Sequence, residues 1–146
     1  MNDVKPIKDR VMIDQIAEYL RLQSERNYVL FMMGIYTGLR VSDILELQVR
    51  DVRNKESLNV VESKTSKKNT YKLNPNIKKI IANYVENKSD YEYLIASRQG
   101  SNKPISRQQA YNILNTAAKI FGLQKISPHS LRKTYGYFIY QNSNKN

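Results

Sequence analysis

Residues Thr37–Leu47 read T-G-L-R-V-S-D-I-L-E-L, and this stretch joins the end of one apolar helix to the start of another. Gly38 is expected to end the first helix, because glycine readily adopts the left-handed conformation that follows many helix C-termini. Arg40 then stands at the start of the next helix, and Asp43 follows one turn later. The pattern predicts an arginine fixed at a helix junction, with a carboxylate placed to orient its guanidinium.

A second stretch, P-H-S-L-R-K-T at Pro128–Thr134, places another arginine in a helical context. Its His129 is the only histidine in the chain and precedes Arg132 by three residues, so both side chains project from one helix face. Two arginine forks around one phosphate would stabilise the extra charge of a pentacoordinate transition state. A histidine beside them can bind a phosphate oxygen or transfer a proton near neutral pH. Together the two stretches predict one anion-binding site containing Arg40, His129 and Arg132.

Net charge is the most informative bulk property of this chain. Its 146 residues include 24 basic and 13 acidic side chains, a net charge of +11. Residues 1–62 hold nine basic and ten acidic side chains, residues 63–146 hold fifteen and three, and no acidic residue follows Glu92. A basic half of this kind favours a polyanionic partner, most simply nucleic acid. A solubility surface or a binder of acidic protein would carry a similar charge.

Composition also limits where the protein works. The chain has no cysteine, which excludes disulfides and thiolate metal sites and fits a reducing cytosol, so a cytoplasmic location is expected. Its N-terminus has no apolar run of the kind found in secretory signals. The longest apolar run, Tyr28–Leu39, is too short to span a bilayer and is typical of a buried helix. No membrane association is expected.

Hydrophobic spacing predicts one mainly helical domain over residues 1–146, with a small antiparallel sheet near its middle, an α+β fold. Asn74 and Ser106 are expected to cap helices, and Gly122 to end one. A polar loop is predicted at Ser63–Asn69, between two strands. The predicted helices are Met12–Leu22, Glu25–Tyr36, Val41–Leu47, Asn74–Asn87, Ser106–Phe121 and Pro128–Tyr140, and the predicted strands are Ser57–Glu62, Thr70–Leu73 and a short third at Tyr93–Ala96.

The two arginine stretches resemble the arginine boxes of the tyrosine recombinases, the phage-integrase family. The first box usually carries a glutamate where this chain has Asp43, and the residue after the second arginine is often histidine where this chain has Lys133. Between the boxes the family places a catalytic lysine in a β-hairpin, which Val60–Asn69 resembles. Lys64 fits that lysine best, and Lys67 is the alternative if the hairpin register differs. The resemblance covers essentially the whole chain and implies the fold of the recombinase catalytic core.

The resemblance also implies a mechanism: a tyrosine attacks the scissile phosphate of double-stranded DNA and forms a 3′-phosphotyrosyl bond, with no metal or other cofactor. Arg40 and Arg132 would hold the phosphate, His129 would be phosphate ligand and acid/base, and Lys64 would protonate the leaving 5′-oxygen. Asp43 would orient Arg40 and hold its guanidinium in position. Further contacts to the DNA are expected from Lys67, Lys68 and Lys133. Active members assemble as tetramers on DNA during integration or excision of a mobile element.

The chain departs from the family pattern after Arg132. The family's nucleophilic tyrosine lies beyond another helix, and none of the eleven tyrosines here occupies that place. We therefore expect a catalytic domain without its C-terminal tyrosine segment or the N-terminal DNA-binding domain, monomeric in solution, which binds DNA without cleaving it. One alternative is a naturally truncated, non-enzymatic DNA-binding or regulatory relative, and another is a basic RNA-binding protein.

Each candidate residue also has an ordinary structural interpretation. A histidine next to a proline usually makes structural hydrogen bonds at a helix start. Arg40 could form a common salt bridge with Asp43 or Glu46. The hairpin lysines could form a solvated turn, and at most one of them need be catalytic.

Overall fold

The computed structural model describes residues 9–61, 65–123, 126 and 130–144. Within these ranges the chain is mainly helical and contains one two-stranded sheet. The elements in chain order are α1 Arg10–Gln23, α2 Glu25–Thr37, α3 Val41–Leu45, α4 Val49–Val52, β1 Ser57–Val61, β2 Lys68–Lys72, α5 Pro75–Val85, α6 Arg107–Ile120 and α7 Ser130–Asn144. The predicted fold class is confirmed.

Side-chain caps fix where the longer helices begin. Asn74 accepts a hydrogen bond from the backbone N–H of Ile77, and Ser106 accepts one from that of Gln109, so both predicted caps are confirmed. Asp9 caps α1 and Ser24 caps α2 in the same way. Each cap satisfies a backbone N–H that has no partner inside its helix.

The predicted third strand at Tyr93–Ala96 is wrong. Tyr93 forms a single bridge to Gln48, and Ala96 forms one to Pro104, so the segment pairs with two different partners and builds no ladder. Leu94 and Ile95, between these bridges, are completely buried. The apolar run that resembled a strand is a loop whose middle packs into the core.

Helix boundaries differ from prediction mainly near the C-terminus. Helix α7 runs to Asn144, four residues beyond the predicted end at Tyr140. No glycine or proline follows Tyr140, and polar residues alone do not end a helix. The predicted start at Pro128 lies outside the described residues. Helix α4, only four residues long, was not predicted because one turn gives no periodic signal.

Helix α2 is the centre of the core. It contacts α1, α3, α5, α6 and α7. Val29, Leu30, Phe31 and Met33 are all fully buried, which confirms that the apolar run around them is an interior helix. No helix within the described ranges combines the length and the apolar character that crossing a bilayer requires.

The hairpin is a short antiparallel pair. Ser57 pairs with Lys72 and Val61 pairs with Lys68. Leu58 and Val60 point to the core, while the residues between them along β1 face solvent. The two strands therefore hold the hairpin to the body of the protein by one apolar face, and contacts between β1 and α4 extend this attachment.

Two glycines let α7 lie directly against α2. A Cβ atom built on Gly34 would lie 2.5 Å from Cδ1 of Leu131, and one built on Gly38 would lie 2.6 Å from Cδ2 of Tyr135. Both distances are shorter than real Cβ contacts, so a side chain at either position would force Leu131 or Tyr135 to shift. The separation of α2 and α7 is thus set by glycines four residues apart.

Candidate functional site

The turn that precedes Arg40 is built by its own sequence. The hydroxyl of Thr37 donates to the carbonyl of Met33 (2.5 Å) and accepts from the backbone N–H of Leu39 (3.1 Å). Gly38 has φ of 72°, and its N–H donates to the carbonyl of Gly34 (3.1 Å). The left-handed glycine predicted to end the helix is confirmed.

Arg40 begins the next helix through its backbone. Its carbonyl accepts the N–H groups of Asp43 and Ile44, both at 3.0 Å, while its φ and ψ of −65° and 147° are extended. Its side chain is partly exposed, and its Nε is buried without a hydrogen-bond partner among the described residues. The backbone of Arg40 is therefore fixed at the helix junction.

Asp43 lies in the first turn of α3, immediately after Arg40 begins that helix. The Asp43 side chain is 3% exposed, and neither carboxylate oxygen has a hydrogen-bond partner in the described part of the chain. Its role in orienting Arg40 stays a prediction. The expected hydrogen bond between them is absent from the described residues.

Helix α7 carries Arg132 and packs next to the turn that precedes Arg40. Ser130 and Thr134 form a buried face of that helix, where the Thr134 hydroxyl donates to the Ser130 carbonyl (2.8 Å). Arg132 lies between them in sequence and is partly exposed, and Lys133 is exposed. Tyr135, one turn after Arg132, rests on Gly38, two residues before Arg40. The structure therefore brings the helix junction at Arg40 and the Arg132 helix together.

The structure describes two of the three hairpin lysines. Lys67 and Lys68 are both exposed, and Lys68 is the first residue of β2. The backbone N–H of Lys67 donates to the Thr65 hydroxyl (3.3 Å). No hydrogen bond joins either side chain to Arg40 among the described residues. Lys64 and His129 lie outside the described residues, so their roles stay predictions.

Two glycines that were not among the predicted site residues bring the site together. Gly34 and Gly38 are four residues apart on one helix face, a spacing typical of close approach by another helix. Glycine within an apolar helical run usually has a packing reason, so this signal was available. Among the described residues, no three side chains of His, Cys, Asp or Glu gather as metal ligands.

Comparison with known proteins shows which family the chain belongs to. Residues 9–145 match the sequence profile of the phage integrase family. The chain belongs to this family. The match spans both arginine stretches and the hairpin, so the family resemblance drawn from the sequence is confirmed.

Individual relatives give the same result. The chain is 45% identical over 141 residues to the probable integrase/recombinase YoeC of Bacillus subtilis (strain 168), covering 97% of this chain and 77% of YoeC. It is 30% identical over 121 residues to the type 1 fimbriae regulatory protein FimB of Escherichia coli (strain K12), covering 78% of this chain and 60% of FimB.

Among solved structures, the crystal structure of the lambda integrase bound to DNA superposes with a TM-score of 0.74 at 20% identity, covering 99% of this chain and 55% of that one. The match confirms the predicted recombinase catalytic-core fold. The chain spans about half of the lambda integrase chain in that structure.

Proposed function

We propose that this chain binds double-stranded DNA by holding a backbone phosphate between Arg40 and Arg132. The observation that carries the proposal is the contact of Tyr135 with Gly38, which brings the two arginine stretches together across about ninety residues. The Arg40 side chain is partly exposed, and arginine forks match phosphate oxygens in charge and geometry. DNA is the partner in the lambda integrase structure, and the basic second half of this chain suits the same polyanion.

The remaining predicted roles complete this proposal. His129 would be the phosphate ligand and acid/base, and Lys64 the acid that protonates the leaving 5′-oxygen. Lys67, Lys68 and Lys133 would contact neighbouring phosphates. In a protein that also supplies a tyrosine, these groups would support cleavage and rejoining of DNA strands through a phosphotyrosyl intermediate, the activity of a tyrosine recombinase.

The tyrosines described near the core are poor nucleophiles. The Tyr84 hydroxyl is buried and donates to the carbonyl of Leu94 (2.7 Å), and burial raises the pKa of Tyr84 to about 12. Burial also raises the pKa of Tyr111. Tyr135 packs its ring on Gly38. Attack on phosphorus requires a phenol that loses its proton at the phosphate, so we expect this chain to bind DNA without a covalent adduct.

The binding test compares charge removal inside and outside the site. Duplex DNA binding is measured by fluorescence anisotropy for the unmodified chain, Arg40→Gln, Arg132→Gln and Arg21→Gln. Arg21 is the matched control, since it is exposed and paired with Glu18 at 2.6 Å. Each site variant should weaken binding about 10-fold or more, because hydrogen bonds to charged groups contribute about 1.5–3 kcal/mol. Equal affinities for all four proteins would refute the phosphate site, as the RNA-binding alternative predicts.

The covalent test uses a suicide DNA substrate and a denaturing gel. No adduct is expected from this chain alone, and an adduct would show that one of its own tyrosines attacks. A second assay separates a catalytic domain from a non-enzymatic regulatory relative, an alternative supported by the similarity to FimB, a fimbriae regulatory protein. In an oligonucleotide that ends in a 3′-p-nitrophenyl phosphate, water can attack the phosphorus as the bond to p-nitrophenolate breaks. Release of p-nitrophenolate should exceed the rate without protein where Arg40 and Arg132 stabilise the pentacoordinate transition state, and should equal that rate on a purely binding surface.

A further inference from the structure

A polar cleft lies at the other end of α2 from Arg40. It encloses about 520 Å³ between the α1–α2 junction, the loop at residues 97–99 and the first turn of α6. Every side chain that lines it is polar and none is acidic. The residues that matter below are Arg26, Asn27, Ser97, Arg98, Gln99 and Gln109.

Arg26 is fixed in the wall of this cleft, and its guanidinium has more N–H donors than its hydrogen bonds use. Its Nε donates to Oδ1 of Asn27 and its Nη1 to the carbonyl of Ala96, both at 3.0 Å. A guanidinium has five N–H groups, so these two bonds orient the fork and leave the others available. No carboxylate pairs with Arg26 among the described residues.

The cleft also holds an unbalanced positive charge. The pKa of Arg26 is lowered first by burial and then by the charge of Arg98, so two like charges are kept near each other. No acidic residue occurs after Glu92, and none lines the cleft. Gln109 lies in the first turn of α6, so the positive end of that helix dipole is also near the cleft. An anion between the two arginines would remove this repulsion.

We infer that the cleft between Arg26 and Arg98 binds a second backbone phosphate of the DNA. The inference rests on the proposed DNA binding by Arg40 and Arg132. Helix α2 has 13 residues and is about 20 Å long, so the two sites lie about that far apart at its two ends. Helix α6 lines the cleft and also contacts α3, which begins next to Arg40, so one rigid unit carries both sites. A phosphate contact positions the duplex without reading its sequence.

The experiment measures the association constant for duplex DNA over a series of salt concentrations. It compares the unmodified chain with Arg98→Gln, Arg98→Lys and Arg21→Gln. Arg98 is exposed, so its loss should not affect folding, and Arg21→Gln removes the same charge from a residue paired with Glu18. Loss of one phosphate contact should reduce the slope of log K against log salt by about 0.9. We expect this reduction, and about tenfold weaker binding, in Arg98→Gln on any DNA sequence, and near-normal values in the other two variants.

Three results would contradict the inference in distinguishable ways. If the unmodified chain shows no salt-dependent DNA binding, both the proposed function and this inference are overturned. If it binds and Arg98→Gln keeps its slope, only the cleft is excluded. Titration with inorganic phosphate, followed by NMR of the arginine side chains, tests whether the cleft binds only small anions. If Arg98→Gln abolishes phosphate binding but leaves DNA binding unchanged, the cleft does not contact DNA.

Discussion

Tyr135 packs its ring on Gly38 so closely that a Cβ atom at Gly38 would lie 2.6 Å from its Cδ2. Gly38 also has φ of 72°, a conformation that costs other residues about 1 kcal/mol. The residue that turns the chain toward Arg40 is therefore the residue on which the Arg132 helix rests. Backbone conformation and helix packing require glycine here for independent reasons.

Substitutions at Gly38 and Gly122 should separate the cost of backbone strain from the cost of the contact with the Tyr135 ring. Gly122 has φ of 75° and no atom within 4 Å of a Cβ position, so Gly122→Ala meets only the backbone strain. We expect Gly38→Ala to lower the free energy of unfolding by about 2–4 kcal/mol and Gly122→Ala by about 1 kcal/mol, measured by urea denaturation. The double variant Gly38→Ala/Tyr135→Ala should be less unstable than the sum of its single changes. Equal losses for Gly38→Ala and Gly122→Ala would show that the ring contact is unimportant.

Two other glycines, both helical, should respond in opposite directions. Gly136 on α7 has no atom within 4 Å of a Cβ position, so Gly136→Ala should stabilise the protein by about 0.5–1 kcal/mol through helix propensity. Gly34→Ala should destabilise it by about 1–3 kcal/mol despite the same propensity gain, because the new methyl would meet Leu131 at 2.5 Å. Thermal unfolding of both variants tests this. Stabilisation by Gly34→Ala would mean that α7 can move away from α2 at little cost.

Local sequence was enough to predict the turn at Gly38 and the caps at Asn74 and Ser106. These features depend on backbone conformation and hydrogen bonds within a few residues, and such signals are contained in the local sequence. The buried helix α2 was also predictable, since a long apolar run leaves few alternatives.

Features that depend on tertiary packing were not predictable in this way. The run around Leu94 has the composition of a strand but lacks a continuous partner. Asp43 has the spacing to pair with Arg40, but its carboxylate is buried and makes no hydrogen bond in the described part of the chain. In both cases the neighbours come from elsewhere in the chain, and no short-range pattern specifies them.

Neutralising Asp43 should distinguish a buried unpaired carboxylate from one that braces Arg40. Both oxygens lack hydrogen bonds in the described part of the chain, and a carboxyl group without partners is costly to bury. We expect Asp43→Asn to raise the free energy of unfolding by about 1–2 kcal/mol at neutral pH and to leave DNA affinity unchanged or higher. Asp90→Asn is the control, because its exposed pair with Arg53 should contribute less than about 1 kcal/mol. Weaker DNA binding in Asp43→Asn would support the bracing role.

Tyr84 should make stability depend on pH in the alkaline range. Burial raises its pKa to about 12 in the folded protein, against an ordinary value of 10.0. Between these values the unfolded chain loses the phenol proton while the folded protein keeps it, so the free energy of unfolding falls as pH rises, by up to about 1.4 kcal/mol per pH unit. Below pH 10 this contribution is complete and constant.

Tyr84→Phe should remove that part of the pH dependence. It should also lower stability by about 1–2 kcal/mol at neutral pH, because the buried carbonyl of Leu94 loses its donor. The pKa values of Tyr28 and Tyr111 are also raised by burial, so some decline in the same window should persist in the variant. The measurement is urea unfolding of both proteins from pH 8 to pH 12. Parallel curves for the two proteins would mean that Tyr84 titrates alike in the folded and unfolded states. Curves that coincide would also mean that the hydrogen bond of its hydroxyl to Leu94 contributes no stability.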